Sequence, residues 1–294
     1  MQLSTIATNF LIPLLFVFLW STGFIGAKYG LPYAEPFTFL FVRMVIASAL
    51  LYLIALHTRV PWPTRISDYG HMAIVGMLIH GIYLGGVFFA ISRGMDAGIS
   101  ALIVSLQPLV TVALAAVFLS EPLNRYKVLG VIIGLVGVVM VITARGIGSE
   151  KILPVGLISC SLSLFGIASG TIYQKKFCHN FSLLPAVCVQ YVAATFLLLP
   201  GAYYLETMQI EWNSHFIFAL AWLVLVLSLG AVILLMQLIQ RGNASQVASL
   251  FYLVPPFTAV EAWLLFNEQL SKIAVLGIAL CVIGVALVVR SRRV

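Results

Sequence analysis

Ten apolar runs, each close to the length that crosses a lipid bilayer, occupy most of this 294-residue chain. A membrane-spanning helix needs about 20 predominantly apolar residues. Bounded by their polar, glycine or proline breaks, the runs predict spans at 9–29, 37–56, 70–92, 97–119, 126–144, 152–174, 183–204, 215–240, 244–266 and 272–290. The sequence therefore predicts an all-α integral membrane fold and leaves no stretch for a soluble domain.

The charged residues are too few to cover a water-facing surface and too scattered to bind nucleic acid. They make up 9% of the chain, whereas soluble domains carry about 25%. With the N-terminus in the cytoplasm, ten Lys and Arg fall in cytoplasmic loops and the tail, five fall on the opposite side, and Arg43 lies within a span. This bias predicts a multi-pass protein of the cell (inner) membrane with both termini cytoplasmic. Residues 1–10 lack Lys and Arg, so the first run is interpreted as a retained span rather than a signal peptide.

The chain repeats itself at an offset of 147 residues. The stretch "FLSEPLNRYKVLG" is echoed by "LFNEQLSKIAVLG". The same offset relates Pro108 to Pro255, Glu121 to Glu268, Leu123 to Leu270, Gly130 to Gly277 and Gly137 to Gly284. Spans one to five (residues 1–147) therefore correspond to spans six to ten (residues 148–294). Because five is odd, the second half enters the membrane from the opposite side, which predicts inverted repeats around a central cavity, as in secondary transporters.

The repeated motif predicts structural elements rather than a paired acidic site. In the inverted arrangement Glu121 and Glu268 lie about a membrane thickness apart, so we interpret them as turn or gating residues. Asn124 and Ser271 are predicted N-caps of the helices that follow. The glycines of span five form a small-residue face that favours close helix packing, with a dimer contact as the alternative. The sequence leaves monomer and homodimer open.

Several motifs together resemble the EamA-type members of the drug/metabolite transporter superfamily. They are the W-S-x-G-F segment from Trp20, the P-F-x-F-x-x-x-R segment ending at Arg43, and the paired E-x-L-[NS] motifs, set in a five-plus-five layout of spans. The resemblance implies a basket of helices around a central cavity, with spans five and ten at its periphery. It also implies export of amino acids and other small metabolites.

Ionisable residues inside spans are the strongest candidates for contact with substrate. A lone cation such as Arg43 is expected to face the bundle interior or water, where it either attracts a carboxylate or anchors its helix. Glu261 has no acidic repeat mate, because Leu114 stands at that position. It could carry a proton, attract a cation or pair with a neighbouring helix. Histidine ordinarily titrates near neutral pH, so His80 could carry a proton, or it could be a packed histidine.

Polar and aromatic residues at membrane depth complete the predicted lining of the cavity. Gln190 is the repeat mate of Arg43, and Tyr83 shares a helical face with His80. Tyr252 and Trp263 share a face of span nine, and Glu261 lies on the opposite one. The predicted substrate-binding residues are Trp20, Arg43, His80, Tyr83, Gln107, Gln190, Tyr252, Glu261 and Trp263.

The sequence predicts a secondary transporter that exports small metabolites by alternating access. It carries no nucleotide-binding loop and no metal or catalytic motif in a usable context, so we predict no enzyme activity and no cofactor. The expected partners are a small-molecule substrate, the lipid bilayer and, as coupling ion, the proton. An alternative is efflux of lipophilic cations with Glu261 as the counter-charge. A lipid-modifying enzyme would need clustered catalytic groups, and a receptor or scaffold would need larger loops.

Overall fold

The fold was obtained as a computed structural model, which describes residues 11–95, 100, 103–104, 106–144, 154–254, 256–257, 261 and 271–290. Within these residues each predicted span contains a helix. The helices are α1 Ile12–Gly30, α2 Pro36–His57, α3 Ile66–Ser92, α4 Gln107–Phe118, α5 Arg125–Ala144, α6 Pro154–Phe177, α7 Leu183–Leu205, α8 Ser214–Arg241, α9 Ala244–Ser249 and α10 Lys272–Arg290. Helix α9 continues as a 3₁₀ turn over Leu250–Leu253.

The helices have the length and composition that a bilayer requires. Helices α2, α3, α6, α7 and α8 each have 22 to 28 residues and can cross a membrane unaided. Local signals set several helix starts. The Asn124 side chain accepts a hydrogen bond from the Lys127 backbone N–H at 2.9 Å, which confirms the predicted N-cap of α5. Asn213 caps α8 in the same way, through the Phe216 N–H at 2.9 Å.

Helices from the two halves pack in reciprocal pairs. Helix α2 packs on α7, α3 on α6, α1 on α8, and α5 runs against α10. A Cβ atom at Gly130 would lie 2.6 Å from the carbonyl oxygen of Gly284, and one at Gly137 would lie 2.6 Å from that of Gly277. Gly277 and Gly284 are the repeat mates of Gly130 and Gly137, so the contact is reciprocal, as a two-fold axis requires. The glycine face therefore serves packing within the chain.

Two π-helical turns lie at corresponding places in the two halves. Helix α3 widens over Met77–Tyr83, and α8 widens over Leu223–Ala231. Such turns are rare and often accompany functional sites. They present His80 and Ser228 to the interior of the bundle, where both side chains are buried. The sequence pattern did not predict either turn.

Helix α2 is fixed at its N-terminus by two acidic residues. Glu206, at the end of α7, accepts hydrogen bonds from the backbone N–H groups of Phe37 and Thr38 at 2.8 and 2.7 Å. Glu35 in turn accepts one from the Thr207 N–H at 2.6 Å. These contacts satisfy N–H groups that a helix start leaves free, and they hold the helix that carries Arg43 against α7.

Candidate substrate-binding site

A small cavity lies among α1, α2, α3 and α8. It is lined by Trp20, Gly23, Ala27, Arg43, Tyr83, Leu84, Val87, Phe88, Leu227 and Val232. The lining residues of α1 and α3 come from the parts of these helices nearer the predicted outer face. The cavity volume is about 30 Å³, which is room for roughly two water molecules. This space is too small for a metabolite, which would enter only after the helices separate.

Arg43 brings a buried positive charge to the cavity. Its side chain is 2% exposed, and its Nε donates a hydrogen bond to the Ser228 hydroxyl at 3.0 Å. The only ion pair found among the described residues joins Lys127 to Glu121, so no described carboxylate neutralises Arg43. A buried cation without a counter-charge is costly. The planar guanidinium is suited to bind a carboxylate in a bidentate manner, and a ligand in the cavity could supply one.

Aromatic rings form one wall of the cavity. Trp20 and Tyr83 are stacked, with ring centroids 6.4 Å apart and an angle of 9° between planes. Phe251 meets Trp20 edge to face at 5.4 Å, and Phe16 supports it from the previous turn of α1 at 5.3 Å. Such a wall offers apolar contact area to a side chain and an electron-rich face to an ammonium group.

A chain of buried polar groups runs from Arg43 toward the predicted cytoplasmic face. The Tyr191 hydroxyl donates to the Ser228 carbonyl oxygen at 2.7 Å, and the Tyr191 ring meets that of His80 edge to face at 4.6 Å. His80 Nε2 lies 3.3 Å from Gln190 Oε1. The Gln190 amide nitrogen in turn donates to Gln174 Oε1 at 3.1 Å. Predicted residues His80 and Gln190 are thus connected to Arg43 through Tyr191 and Ser228.

Glu261 lies against α1 rather than against another charge. Its buried carboxylate accepts a hydrogen bond from the hydroxyl of Ser21 through one oxygen. Its second oxygen, Oε2, has no hydrogen-bond partner among the described residues. Ser21 follows Trp20 in the chain, so Glu261 stands next to the helix that carries the aromatic wall. A carboxyl in this environment can hold either a proton or a cation.

The remaining predicted residues lie apart from the cavity or outside the described part of the chain. Gln107 begins α4 and is buried, and neither atom of its amide has a partner among the described residues. Tyr252 packs on α5, where a Cβ atom at Gly134 would lie 2.4 Å from its ring. Trp263 lies outside the described residues. The structure therefore brings Trp20, Arg43 and Tyr83 together and places Tyr252 elsewhere.

Three residues of the polar chain escaped the sequence analysis. Ser228 interrupts an apolar run, and Tyr191 directly follows Gln190. Gln174 precedes two lysines near the end of a span, so its polarity suggests an interfacial position. All three are buried. Gln174 is the repeat mate of Ala27, but this relation became informative only once the structure placed Ala27 at the cavity.

Glu121 connects three helices at the predicted cytoplasmic face. Its carboxylate accepts hydrogen bonds from Lys127 Nζ at 3.0 Å, the Ala244 backbone N–H at 2.8 Å and the Ser245 hydroxyl at 2.6 Å. Burial alone would raise the pKa of this carboxyl, but the hydrogen bonds from Ser245 and Lys127 and the Lys127 charge hold it below the ordinary 4.5. Glu121 therefore joins the end of α4 to the starts of α5 and α9.

Comparison with known proteins agrees with this architecture. The pattern of the EamA-like transporter family matches residues 8–143 and again residues 154–290. An uncharacterized transporter of Bacillus subtilis, YvbV, is 29% identical over 296 residues, covering 98% of this chain and 93% of its own length. A protein of Salmonella typhimurium described as a probable amino-acid metabolite efflux pump is 27% identical, covering 96% of this chain and 95% of its own. One crystal structure superposes with a TM-score of 0.79 at 21% identity over 98% of each chain, which shows a shared fold.

The double match extends over most of the chain, and the buried site lies within an all-helical membrane bundle. The chain therefore belongs to the EamA-like transporter family. It is a multi-pass membrane transporter rather than an enzyme, and its partners are a small-molecule substrate and membrane lipid.

Proposed function

We propose that this protein exports small metabolites that carry a carboxylate, with amino acids and related compounds as the main class. The proposal rests on the environment of Arg43. Its guanidinium is buried, lines the cavity, and has no acidic partner among the described residues. An α-carboxylate would supply the missing negative charge and two acceptor oxygens. The name of the Salmonella relative, a probable amino-acid metabolite efflux pump, supports the same substrate class.

The surrounding residues fit the other parts of such a substrate. The stacked Trp20 and Tyr83 rings would cover an apolar side chain or face an α-ammonium group. The cavity of about 30 Å³ is too small for the metabolite, so substrate binding requires the helices to move. We infer that the two repeats rock against each other and expose the site to one membrane face at a time, with both termini in the cytoplasm of the cell (inner) membrane.

We also propose that transport is coupled to protons through His80 or Glu261. Both side chains are buried next to the site, and each has an atom without a partner among the described residues: His80 Nδ1 and Glu261 Oε2. Either could bind a proton in one state and release it in another. A pH gradient would then drive accumulation, and replacing the coupling residue would leave exchange intact while abolishing the effect of the gradient.

Counterflow in proteoliposomes tests the substrate class. Vesicles are loaded in turn with unlabelled amino acids, nucleosides and a lipophilic cation, and uptake of the labelled compound is measured with and without a pH gradient. Vesicles containing an Arg43→Ala variant serve as control. We expect counterflow for amino acids and a loss of it in the variant. Counterflow of nucleosides or cations alone would reject the proposal.

A second function, efflux of lipophilic cations, is favoured by one specific observation. The buried Glu261 carboxylate accepts a hydrogen bond from Ser21 of α1, which directly follows Trp20 in the chain. Trp20 forms a cluster of rings with Phe16 and Phe251, and an acid combined with aromatic rings is suited to an organic cation. This function predicts that Glu261→Gln abolishes efflux of the cation, while Arg43→Ala leaves it intact. If Glu261→Gln still exports the cation, the second function is eliminated.

A further inference from the structure

The repeat relates the cavity around Arg43 to a second group of buried side chains. Three of the cavity residues are Ala27, Arg43 and Leu227. Their repeat mates, at the offset of 147, are Gln174, Gln190 and His80. These mates are the three residues joined by hydrogen bonds of 3.3 and 3.1 Å in the polar chain. The correspondence relates a cavity to a closed polar cluster.

The contacts made by the two groups also correspond. Arg43 on α2 bonds to Ser228 in the π-helical turn of α8. Its mate Gln190 on α7 bonds to His80 in the π-helical turn of α3. The group around Arg43 lies toward the predicted outer face. Gln174 lies only about one turn from the end of α6, toward the predicted cytoplasmic face.

Close backbone packing closes the second group. A Cβ atom at Gly76 of α3 would lie 2.1 Å from the carbonyl oxygen of Gln190, so the two helices touch at this level. The repeat mate of Gly76 is Leu223, whose side chain packs on α1, where a Cβ atom at Gly26 would lie 2.9 Å from it. The glycine that permits close approach at Gln190 is thus replaced by a large side chain at the corresponding position of α8.

The second group still has free hydrogen-bonding capacity. His80 Nδ1 and Gln174 Nε2 are buried and have no partner among the described residues. Buried polar atoms are nearly always paired, and each exception calls for an explanation. A ligand or water that enters when α3 moves away from α7 would pair them. His80, Gln190 and Gln174 can all hydrogen-bond to a ligand, and none of the three side chains carries a permanent charge.

We propose that His80, Gln190 and Gln174 form the closed, opposite-facing half of the transport route and bind the polar end of the metabolite when that half opens. This inference rests on the alternating access proposed above. Because Arg43 carries a charge and its mate Gln190 does not, the opposite-facing site holds a carboxylate less tightly.

Thiol labelling tests the sidedness without any substrate. Ala27→Cys, Gln174→Cys and Gln190→Cys are introduced separately into a variant whose four native cysteines are replaced by alanine. A membrane-impermeant anionic methanethiosulfonate is then applied to right-side-out or inside-out vesicles. Ser169→Cys provides the background rate, because Ser169 lies on α6 and bonds only to its own helix at Phe165 and Gly166.

We expect Ala27→Cys to react at least tenfold faster from one face, and Gln174→Cys and Gln190→Cys to react at least tenfold faster from the opposite face. In an Ala27→Cys/Gln174→Cys double variant, prior modification of the first thiol should slow modification of the second. Reaction of all three from the same face would overturn the inference, and so would background rates at both glutamine positions. Labelling as expected without counterflow of any amino acid would leave this inference standing and reject the proposed substrate.

Discussion

Replacement of Glu121 by alanine tests the connection among α4, α5 and α9. The substitution removes the acceptor of three hydrogen bonds, from Lys127, Ala244 and Ser245. It also leaves the Lys127 ammonium without its partner, on a side chain that is only 4% exposed. The effect should therefore exceed that of losing one surface ion pair, which is about 0–1 kcal/mol.

The magnitude follows from the burial of the pair. A hydrogen bond to a charged group contributes about 1.5–3 kcal/mol, and breaking a buried ion pair by removing one partner costs about 3–5 kcal/mol. Water can reach this end of the bundle, so we take the lower figure of about 3 kcal/mol. At about 2–4 °C per kcal/mol, Glu121→Ala should lower the Tm by about 6–12 °C.

The assay is thermal unfolding of purified protein in detergent. Glu211→Ala, which removes an exposed acid, should leave the Tm within about 1 °C of the parent. In a double variant, Lys127→Met should restore part of the stability lost in Glu121→Ala, because no buried charge is then left unpaired. If Glu121→Ala melts with the parent, or if Lys127→Met adds fully to its effect, the carboxylate does not join these helices.

Three further predictions concern packing and pH. Gly76→Ala should lower the free energy of unfolding by about 1–3 kcal/mol or more, because its Cβ would lie 2.1 Å from the Gln190 carbonyl oxygen. Gly70→Ala in the same helix is the control, because its Cβ would meet nothing within 4 Å, and it should be neutral or stabilising. The Tm values of the two variants are compared. Gly137→Val should lower the Tm at least as much as Gly76→Ala, since its Cβ would lie 2.6 Å from a backbone oxygen of α10. Because the pKa of Glu121 is lowered, its stabilising effect is present above the ordinary pKa of 4.5 and is lost as pH falls through the folded-state pKa. The Tm difference between the parent and Glu121→Gln should therefore shrink between pH 6 and pH 3. A Tm difference that stays constant over this range would contradict the prediction.

The features predicted from sequence are those that local signals determine. Span positions follow from apolar runs, and the cap at Asn124 follows from residue type next to a helix start. The glycine face of α5 was predictable because small residues at helical spacing have few other uses in a span. Its partner was not predicted, and the structure shows that Gly130 and Gly137 pack on the mates of each other.

Which residues form the site depends on how each helix is rotated about its own axis, and an apolar span does not indicate that rotation. A helix that is apolar all round gives no sign of which face is buried. The sequence therefore predicts Tyr252 at the cavity, whereas its ring fills the space left by Gly134 of α5. Ser228 and His80 reach the interior through π-helical turns, for which the sequence offers no recognisable pattern. Arg43 was identifiable because a charge within a span requires a special environment.

Competition between an amino acid and its uncharged amide shows whether Arg43 binds the carboxylate of the substrate. Counterflow of the best-transported amino acid is inhibited either by that amino acid or by its amide, in which a neutral group replaces the carboxylate. In the parent, the carboxylate should be preferred by at least about 30-fold, which corresponds to the lower limit of about 2 kcal/mol for a buried charge pair. In Arg43→Gln this preference should fall to within a few-fold. An unchanged preference in Arg43→Gln would show that Arg43 does not bind the carboxylate.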